Sequence, residues 1–179
     1  MKYLGSKRKL IPFLEKTIKS VVGNDLANLT FCDLFAGTGI VGRHFKSSVK
    51  EIISNDLEYA NDLIRRISGD VLYADPPYTG RQYGGDYHLL GTIARYDSFV
   101  PSGITGRREY KRSAWASNKT AEGQLDDLLK HAQFKYIFLS YNNEGLMPPD
   151  VIKGIMSKYG KYDVATTEYR RFKSSAGAD

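Results

Sequence analysis

The sequence has little cysteine and no long hydrophobic run. Cys32 is the only cysteine among 179 residues, which excludes an internal disulfide and a cysteine-based metal cluster. Because it lies within an apolar stretch, we predict an inert core thiol. No apolar run approaches the roughly 20 residues of a membrane span, and the first residues contain no secretory hydrophobic region. We therefore expect a cytoplasmic protein with no membrane partner and no metal site.

Acidic residues are outnumbered by basic ones. The chain contains 26 Lys and Arg against 20 Asp and Glu, which gives a formal net charge of +6. This excess is compatible with a polyanionic partner such as nucleic acid, although many basic proteins bind none. The length fits a single domain with a hydrophobic core.

The most informative short stretch is Asp75-Pro76-Pro77-Tyr78. It follows an apolar run, residues 71–74, which predicts a strand. Two consecutive prolines lack N–H donors and have a fixed φ, so the chain must leave the sheet in a stiff turn. Ligands of open α/β sheets bind at the carboxyl ends of the strands. An acid and a phenol at such a corner can bind a planar nitrogen base, and an ordinary proline-rich turn is the alternative.

A glycine-containing turn follows an earlier predicted strand. The apolar stretch 29–36 contains Asp33 and runs directly into Gly37 and Gly39, after which a helix is predicted. Glycines at a strand-to-helix turn allow the backbone to approach a ligand closely. Asp56 ends the next predicted strand about 20 residues later, where doubly wound folds bind ribose hydroxyls. A helix N-cap is the alternative role for Asp56.

Strands and helices are predicted to alternate along the chain. The predicted strands are residues 29–36, 49–54, 70–74, 136–141 and 162–169. The predicted helices are residues 9–22, a helix from Ile40, and residues 58–67, 122–132 and 149–158. This alternation predicts an α/β fold with a mostly parallel sheet and helices on both faces.

A basic and aromatic segment follows the proline corner. Residues 79–87 are rich in glycine and aromatic residues, and we predict a mobile basic loop over residues 98–120 that includes Trp115. Structureless loops of this length are uncommon unless they are functional or mobile. Basic side chains interleaved with aromatic ones suit phosphates and unstacked bases, whereas a merely solvated loop is the alternative. The candidate nucleic-acid contacts are Arg81, Tyr83, Tyr87, Arg107, Arg108, Lys111 and Arg112.

Four motifs, taken in order, resemble those of the bacterial Dam-like adenine-specific DNA methyltransferases, which use S-adenosylmethionine. They are Tyr3-Leu4-Gly5-Ser6-Lys7, Asp33-Leu34-Phe35-Ala36-Gly37-Thr38-Gly39, Asn55-Asp56 and Asp75-Pro76-Pro77-Tyr78. The resemblance implies a Rossmann-like methyltransferase fold and a single catalytic domain over residues 1–179. It also implies a site-specific enzyme that methylates N6 of a flipped-out adenine in DNA, a bacterial or phage origin, and a restriction endonuclease as a candidate partner.

The resemblance assigns a role to each motif. Tyr3 and Phe35 would lie near the cofactor, and Lys7 would contact both the cofactor and the catalytic loop. The residues implied to hold the methionine part and the ribose are Asp33, Gly37, Gly39 and Asp56. The residues implied to hold the target adenine are Asp75, Pro76 through its backbone carbonyl, Pro77 and Tyr78.

One part of the family pattern has no counterpart in this sequence. In the family, a connector, a further motif and usually a target-recognition region separate the second strand's acid from Asp-Pro-Pro-Tyr. Here residues 57–74 supply only one helix and one strand. We therefore predict that one strand and the recognition region are absent, with the join near residues 60–61. The chain is either naturally minimal or lacks an internal piece.

Two further functions stay open on the sequence alone. One is an RNA amine methylase, and the other is a catalytically impaired nucleic-acid-binding module that keeps the fold. Asp75 argues against a protein-glutamine methylase, because related enzymes that act on amides often have asparagine at that position.

Overall fold

The computed structural model describes residues 7–56, 60–80 and 112–168. Within these ranges four strands form one sheet in the order β2-β1-β3-β4, and every pairing is parallel. This confirms the predicted α/β fold with a parallel sheet. The strands are β1 (Thr30–Asp33), β2 (Glu51–Ser54), β3 (Ser68–Ala74) and β4 (Gln133–Leu139).

Helices lie on both sides of this sheet. The described α-helices are α1 (Ile11–Val22), α2 (Ile40–Phe45), α3 (Ala60–Leu63), α4 (Ala121–His131) and α5 (Pro149–Met156), with short 3₁₀ helices at Lys7–Leu10 and Ala114–Ala116. Helix α1 has Pro12 in its first turn and ends at Gly23, whose φ is 102°. Proline suits the first turn of a helix, and glycine suits the position at its end. None of the described helices combines the length and hydrophobicity that a membrane crossing requires.

Strand β3 divides its side chains between two hydrophobic clusters. Val71 and Tyr73 pack with residues of α1 and α2, whereas Leu72 and Ala74 pack with residues of α3, α4 and α5. This division follows from the alternation of side chains along a strand. Cys32 is fully buried in the second cluster, and burial raises the pKa of its thiol to about 12. The predicted inert core thiol is therefore confirmed.

Two predicted elements differ from the structure. The strand predicted at residues 162–169 is wrong over its described part, because residues 161–168 form no regular secondary structure. They pair with no described strand, and Val164 is 65% exposed, so nothing there supplies the hydrogen bonds and burial that stabilise a strand. The helix predicted at residues 58–67 is limited to Ala60–Leu63 in the described chain. It ends early because β3 already begins at Ser68 and the chain must turn before it.

Candidate active site

The predicted site residues follow three neighbouring strands of the sheet. Gly37 and Gly39 follow β1, Asp56 follows β2, and the corner Asp75–Tyr78 follows β3. Because β2, β1 and β3 are adjacent and parallel, their carboxyl ends lie at one edge of the sheet. This edge is where open α/β sheets bind their ligands.

The turn after β1 is held by backbone hydrogen bonds to the end of β2. The Asn55 N–H donates to the Asp33 carbonyl over 3.0 Å, and the Ala36 N–H donates to the Asn55 carbonyl over 2.7 Å. Gly37 and Gly39 then have φ values of 51° and 67°. Only glycine adopts this left-handed conformation at little cost, which explains both residues. The turn therefore brings the chain back across the sheet edge and into α2.

Asp33 lies beneath α2 and is only 1% exposed. Its Oδ2 accepts a hydrogen bond from the Gly42 N–H over 2.9 Å. Burial raises the pKa of Asp33 to about 6; the Gly42 hydrogen bond opposes this shift, and the charges of Asp75 and Asp56 add to it. The three acids therefore lie close enough to influence one another. The structure places Asp33 where it fixes α2 and the glycine turn from below.

Gly42 has a packing reason to be glycine. A Cβ atom at this position would lie 2.9 Å from Ser54 Oγ and 3.3 Å from Asp33 Oδ2. Helix α2 can therefore approach the ends of β1 and β2 only because this residue has no side chain. Gly42 was not among the predicted site residues, because its position five residues after Gly37 gave no separate signal.

Lys7 and Asp75 form an ion pair at the centre of the corner. Lys7 Nζ lies 2.7 Å from Asp75 Oδ2, and the two side chains are only 12% and 15% exposed. Lys7 Nζ also lies 5.4 Å from the centroid of the Tyr78 ring. The contact between Lys7 and the catalytic loop that the family resemblance implies is thus present in the structure. Pro76 and Pro77 are buried, so the corner is fixed by packing as well as by the proline rings.

The carboxylate of Asp75 is under opposing influences. Burial raises its pKa, while the charge and hydrogen bond of Lys7 and the nearby Ser140 hydroxyl lower it. Its Oδ1 is buried and makes no hydrogen bond of regular geometry within the described chain. Buried polar atoms are nearly always hydrogen-bonded, and exceptions concentrate at functional positions. Asp75 therefore has the features of a ligand-binding acid.

The loop after β4 holds Tyr78 from the other side. The Tyr141 ring meets the Tyr78 ring edge to face, with centroids 6.3 Å apart. The Leu146 N–H donates to the Tyr78 carbonyl over 3.0 Å, and the Met147 N–H donates to the Tyr141 hydroxyl over 3.2 Å. Gly145 packs directly against the Tyr141 ring, where a Cβ would clash. Tyr141 was not among the predicted site residues, although its position at the end of the predicted strand 136–141 was a usable signal.

Other predicted site residues are placed differently. Phe35 is 6% exposed and packs edge to face against Trp115, with centroids 5.2 Å apart. Trp115 is 3% exposed, so it is a core residue and not a base-stacking residue of the predicted loop. Arg112 and Asp56 are exposed. The predicted residues outside the described ranges are Tyr3, Arg81, Tyr83, Tyr87, Arg107, Arg108 and Lys111.

Two segments of the chain match one protein family. Residues 3–64 and residues 58–155 match the model of the D12 class N6 adenine-specific DNA methyltransferases. The two segments overlap at residues 58–64, which include α3. This overlap coincides with the join that the sequence analysis predicts near residues 60–61.

Several curated proteins are similar in sequence. The type II methyltransferase M.NlaIII of Neisseria lactamica is 32% identical over 310 aligned positions, which cover 97% of this chain and 93% of the relative. The type II methyltransferase M.FokI of Planomicrobium okeanokoites is 41% identical over 65% of this chain, and the modification methylase LlaI of Lactococcus lactis subsp. lactis is 40% identical over 64%. The matched part spans only 19% of each of these last two proteins. No solved structure matches the chain significantly.

Proposed function

Because the chain belongs to the D12 class N6 adenine-specific DNA methyltransferase family, we propose that it transfers a methyl group from S-adenosylmethionine to N6 of a flipped-out adenine in DNA. The observation that carries this proposal is the buried corner at the end of β3. There Lys7, Asp75 and Tyr78 lie together beside the glycine turn that follows β1. The carboxylate can accept a hydrogen bond from an amino-purine, the cation can favour the ionised carboxylate, and the aromatic ring can stack on the base.

The residues present at the sheet edge fit S-adenosylmethionine. Asp56 is an exposed acid at the end of β2, where it can accept hydrogen bonds from the ribose hydroxyls. Gly37 and Gly39 leave the backbone of the turn open to close approach, since no side chain projects from either residue. When bound, this cofactor supplies an electrophilic methyl group on a sulfonium.

Asp75 would act on the amine through its charge. The lone pair of the adenine amine is delocalised into the ring, which makes the nitrogen a poor nucleophile. Hydrogen bonds from the amine to the Asp75 carboxylate and to the Pro76 carbonyl favour a tetrahedral nitrogen and offset the positive charge that develops on it. This requires an ionised Asp75. Burial raises the pKa of Asp75 overall, and the Lys7 ion pair opposes this rise. Lys7 therefore favours the ionised form of the acid.

Tyr78 would hold the base in its extruded position. The target amine is unreachable inside a duplex, so the base must leave the stack at a cost of about a few kcal/mol. Stacking on the Tyr78 ring recovers about 1–3 kcal/mol of this cost. The Tyr141 contact and the Leu146 hydrogen bond fix the ring before the base arrives. Such a preformed surface lowers the entropy that binding must remove.

We further propose that the segment absent from this chain lies at residues 58–64. Both family-matched segments end or begin there, and the alignment with M.NlaIII runs over 310 positions although this chain has 179 residues. A large part of that relative therefore has no counterpart here. The chain would then be one catalytic domain without the family's target-recognition region. The names of the relatives support a restriction endonuclease as the partner of the proposed enzyme.

Incorporation of tritium from labelled S-adenosylmethionine tests the reaction and its substrate class together. Purified chain is incubated with duplex DNA, RNA and a protein mixture in parallel, and acid-insoluble counts are compared. We expect counts in DNA that exceed those in RNA and protein. Counts confined to RNA would support an RNA amine methylase. Binding of cofactor and DNA without transfer to any substrate would support the impaired binding module, which the absent segment makes the second candidate.

A further inference from the structure

Two hydroxyl groups lie beneath the Asp75 carboxylate. Tyr73 precedes Asp75 by two residues, so both side chains project from the same face of the sheet. On the neighbouring strand Phe138 pairs with Tyr73, and the Ser140 N–H donates to the Ala74 carbonyl over 2.8 Å. Ser140 therefore stands beside Asp75 on that same face. Its hydroxyl is close to both the Asp75 carboxylate and the Tyr73 phenol.

Two polar atoms of this layer, the Tyr73 hydroxyl and Asp75 Oδ1, are sealed from solvent. Tyr73 is 1% exposed, and its hydroxyl and Asp75 Oδ1 are both buried without a hydrogen bond of regular geometry among the described residues. A buried polar group without a partner costs about 1–3 kcal/mol. Hydrogen bonds that join the Tyr73 hydroxyl and Asp75 Oδ1 to the Ser140 hydroxyl would therefore be strongly favoured. Asp75 Oδ2, by contrast, lies on Lys7. The two carboxylate oxygens thus face different surroundings.

We propose that Ser140 and Tyr73 are positioning residues for Asp75: the Ser140 hydroxyl donates to Asp75 Oδ1 and accepts from the Tyr73 hydroxyl. These linked hydrogen bonds would hold Asp75 Oδ1 inward and turn Oδ2 toward Lys7 and the adenine amine. The inference rests on the proposed function for the identity of the amine. The strand register already places Ser140 beside Asp75 and on the same face as Tyr73. Linked donors of this kind strengthen one another in a buried setting.

The consequence is an ionised and fixed Asp75. Donation to a carboxylate favours its charged form, so loss of the Ser140 hydroxyl must raise the pKa of Asp75. The other ionisable and hydroxyl groups around Asp75 are Lys7 on its outer oxygen, Asp33 on the neighbouring strand, and Tyr78 beyond the prolines. In the proposed arrangement Ser140 and Tyr73 act on Oδ1, whereas Lys7 contacts Oδ2. Their removal should therefore act on Asp75 and leave the ion pair with Lys7 in place.

Carbon-13 NMR titration of the aspartate carboxyl carbons tests this directly. Protein labelled with carbon-13 at aspartate is titrated for the wild type and for the variants Ser140→Ala, Ser140→Thr and Tyr73→Phe. The Asp75 signal is assigned by its loss in Asp75→Asn. Tyr136→Phe is the matched control, because it removes a phenol hydroxyl from the same face of β4 two positions before Phe138. We expect Ser140→Ala to raise the pKa of Asp75 by about one pH unit, Tyr73→Phe to raise it less, and Ser140→Thr and Tyr136→Phe to leave it near the wild-type value.

Methyl transfer supplies the second readout. Ser140→Ala should lower kcat about tenfold with little change in KM for the cofactor, and Ser140→Thr should restore most of the loss. An Asp75 pKa that is unchanged in both Ser140→Ala and Tyr73→Phe overturns the positioning role. The titration does not depend on turnover. A raised pKa in a chain that methylates nothing would therefore uphold the positioning role and refute the proposed function.

Discussion

Two buried polar clusters of this molecule differ in how completely their groups are paired. Around α3, Asn61 Oδ1 accepts from the Trp115 indole N–H over 3.0 Å, and Asn61 Nδ2 donates to the Gln124 carbonyl over 3.0 Å and to Asp127 Oδ2 over 2.9 Å. Every hydrogen of that amide is used. At the β3 corner, Asp75 Oδ1 and the Tyr73 hydroxyl make no regular hydrogen bond within the described chain.

We interpret this contrast as the difference between a structural cluster and the proposed functional one. Both clusters contain charged groups in partly buried positions, so burial and charge alone would have selected either. The Asn61 cluster joins α3 to the Trp115 turn and α4, and it lies where the two family-matched segments meet. It therefore closes the chain across the proposed join. The Asp75 cluster, by contrast, leaves two buried atoms, the Tyr73 hydroxyl and Asp75 Oδ1, without a regular hydrogen bond among the described residues, as is typical of functional positions.

The largest effect is expected at the corner itself. Asp75→Ala removes the acceptor of the amine hydrogen bond, so methyl transfer should fall at least about 10²–10³-fold. Cofactor affinity, measured by equilibrium dialysis, should change little. The exposed Asp62→Ala serves as the control for loss of a carboxylate. An Asp75→Ala enzyme that retains wild-type single-turnover rates would refute the assignment of this residue.

The second largest effect is expected on the pH dependence of stability, through the buried Asp33 beneath α2. Folding raises the pKa of Asp33 from 3.8 to about 6, mainly through burial. Between these values the folded chain binds more protons than the unfolded chain, so the free energy of unfolding must fall as the pH rises from about 4 to about 6. Asp33→Asn should remove this part of the slope and raise stability at pH 7 by up to about 3 kcal/mol.

Urea denaturation at a series of pH values measures this change. The raised pKa of Asp75 contributes a slope of the same sign, so the informative quantity is the difference between Asp33→Asn and the wild type. Asp62→Asn is the exposed control. Equal slopes in the wild type and Asp33→Asn would show that the burial of Asp33 does not influence stability in this pH range.

A smaller loss of stability is expected for a substitution at the contact between α2 and the strands. Gly42→Ala places a Cβ 2.9 Å from Ser54 Oγ and 3.3 Å from Asp33 Oδ2, so the free energy of unfolding should fall by about 2 kcal/mol. Gly123→Ala in α4 is the matched control, because a Cβ there meets no atom within 4 Å. Removal of an exposed helical glycine should stabilise the protein by about 0.5–1 kcal/mol. Opposite signs for the two variants are the predicted result, and stabilisation by both would contradict the close approach of α2.

The Asn61 cluster sharpens the contrast with Asp75. Asn61→Ala leaves the Trp115 indole without its acceptor, so stability should fall by about 1–2 kcal/mol. The pKa of Asp75 and the transfer rate per folded molecule should stay at wild-type values. Asn24→Ala, at an exposed asparagine, is the control. A lower transfer rate in fully folded Asn61→Ala would mean that the two clusters are coupled.

The smallest effect is expected on the ratio of methyl transfer to duplex DNA and to single-stranded DNA. Tyr78→Ala should reduce transfer to duplex DNA about fivefold more than transfer to single strands, since stacking of about 1 kcal/mol or more then no longer offsets unpairing. Tyr162→Ala, in the irregular segment after α5, is the control. Equal losses on both substrates would argue against a stacking role for Tyr78.

The sequence predicted the parts of this site that local rules determine. A proline pair after an apolar run, and glycines after another, place Asp75 and Gly37 at strand ends whatever the rest of the chain does. Contacts between distant segments were not accessible in this way. Phe35 and Trp115 are far apart in the sequence and pack on each other only in the folded chain, so neither could be recognised as a core residue from its sequence neighbours. Ser140 could be assigned to Asp75 only after β4 was shown to lie beside β3.

The central claim is that the β3 corner delivers the amine of an adenine to a methyl donor. Mass spectrometry of nucleosides from DNA treated with S-adenosylmethionine and the chain tests it most directly. We expect N6-methyl-2′-deoxyadenosine with the wild type and none with Asp75→Asn. Methylation at another atom, or an equal yield of N6-methyl-2′-deoxyadenosine from Asp75→Asn, would contradict it.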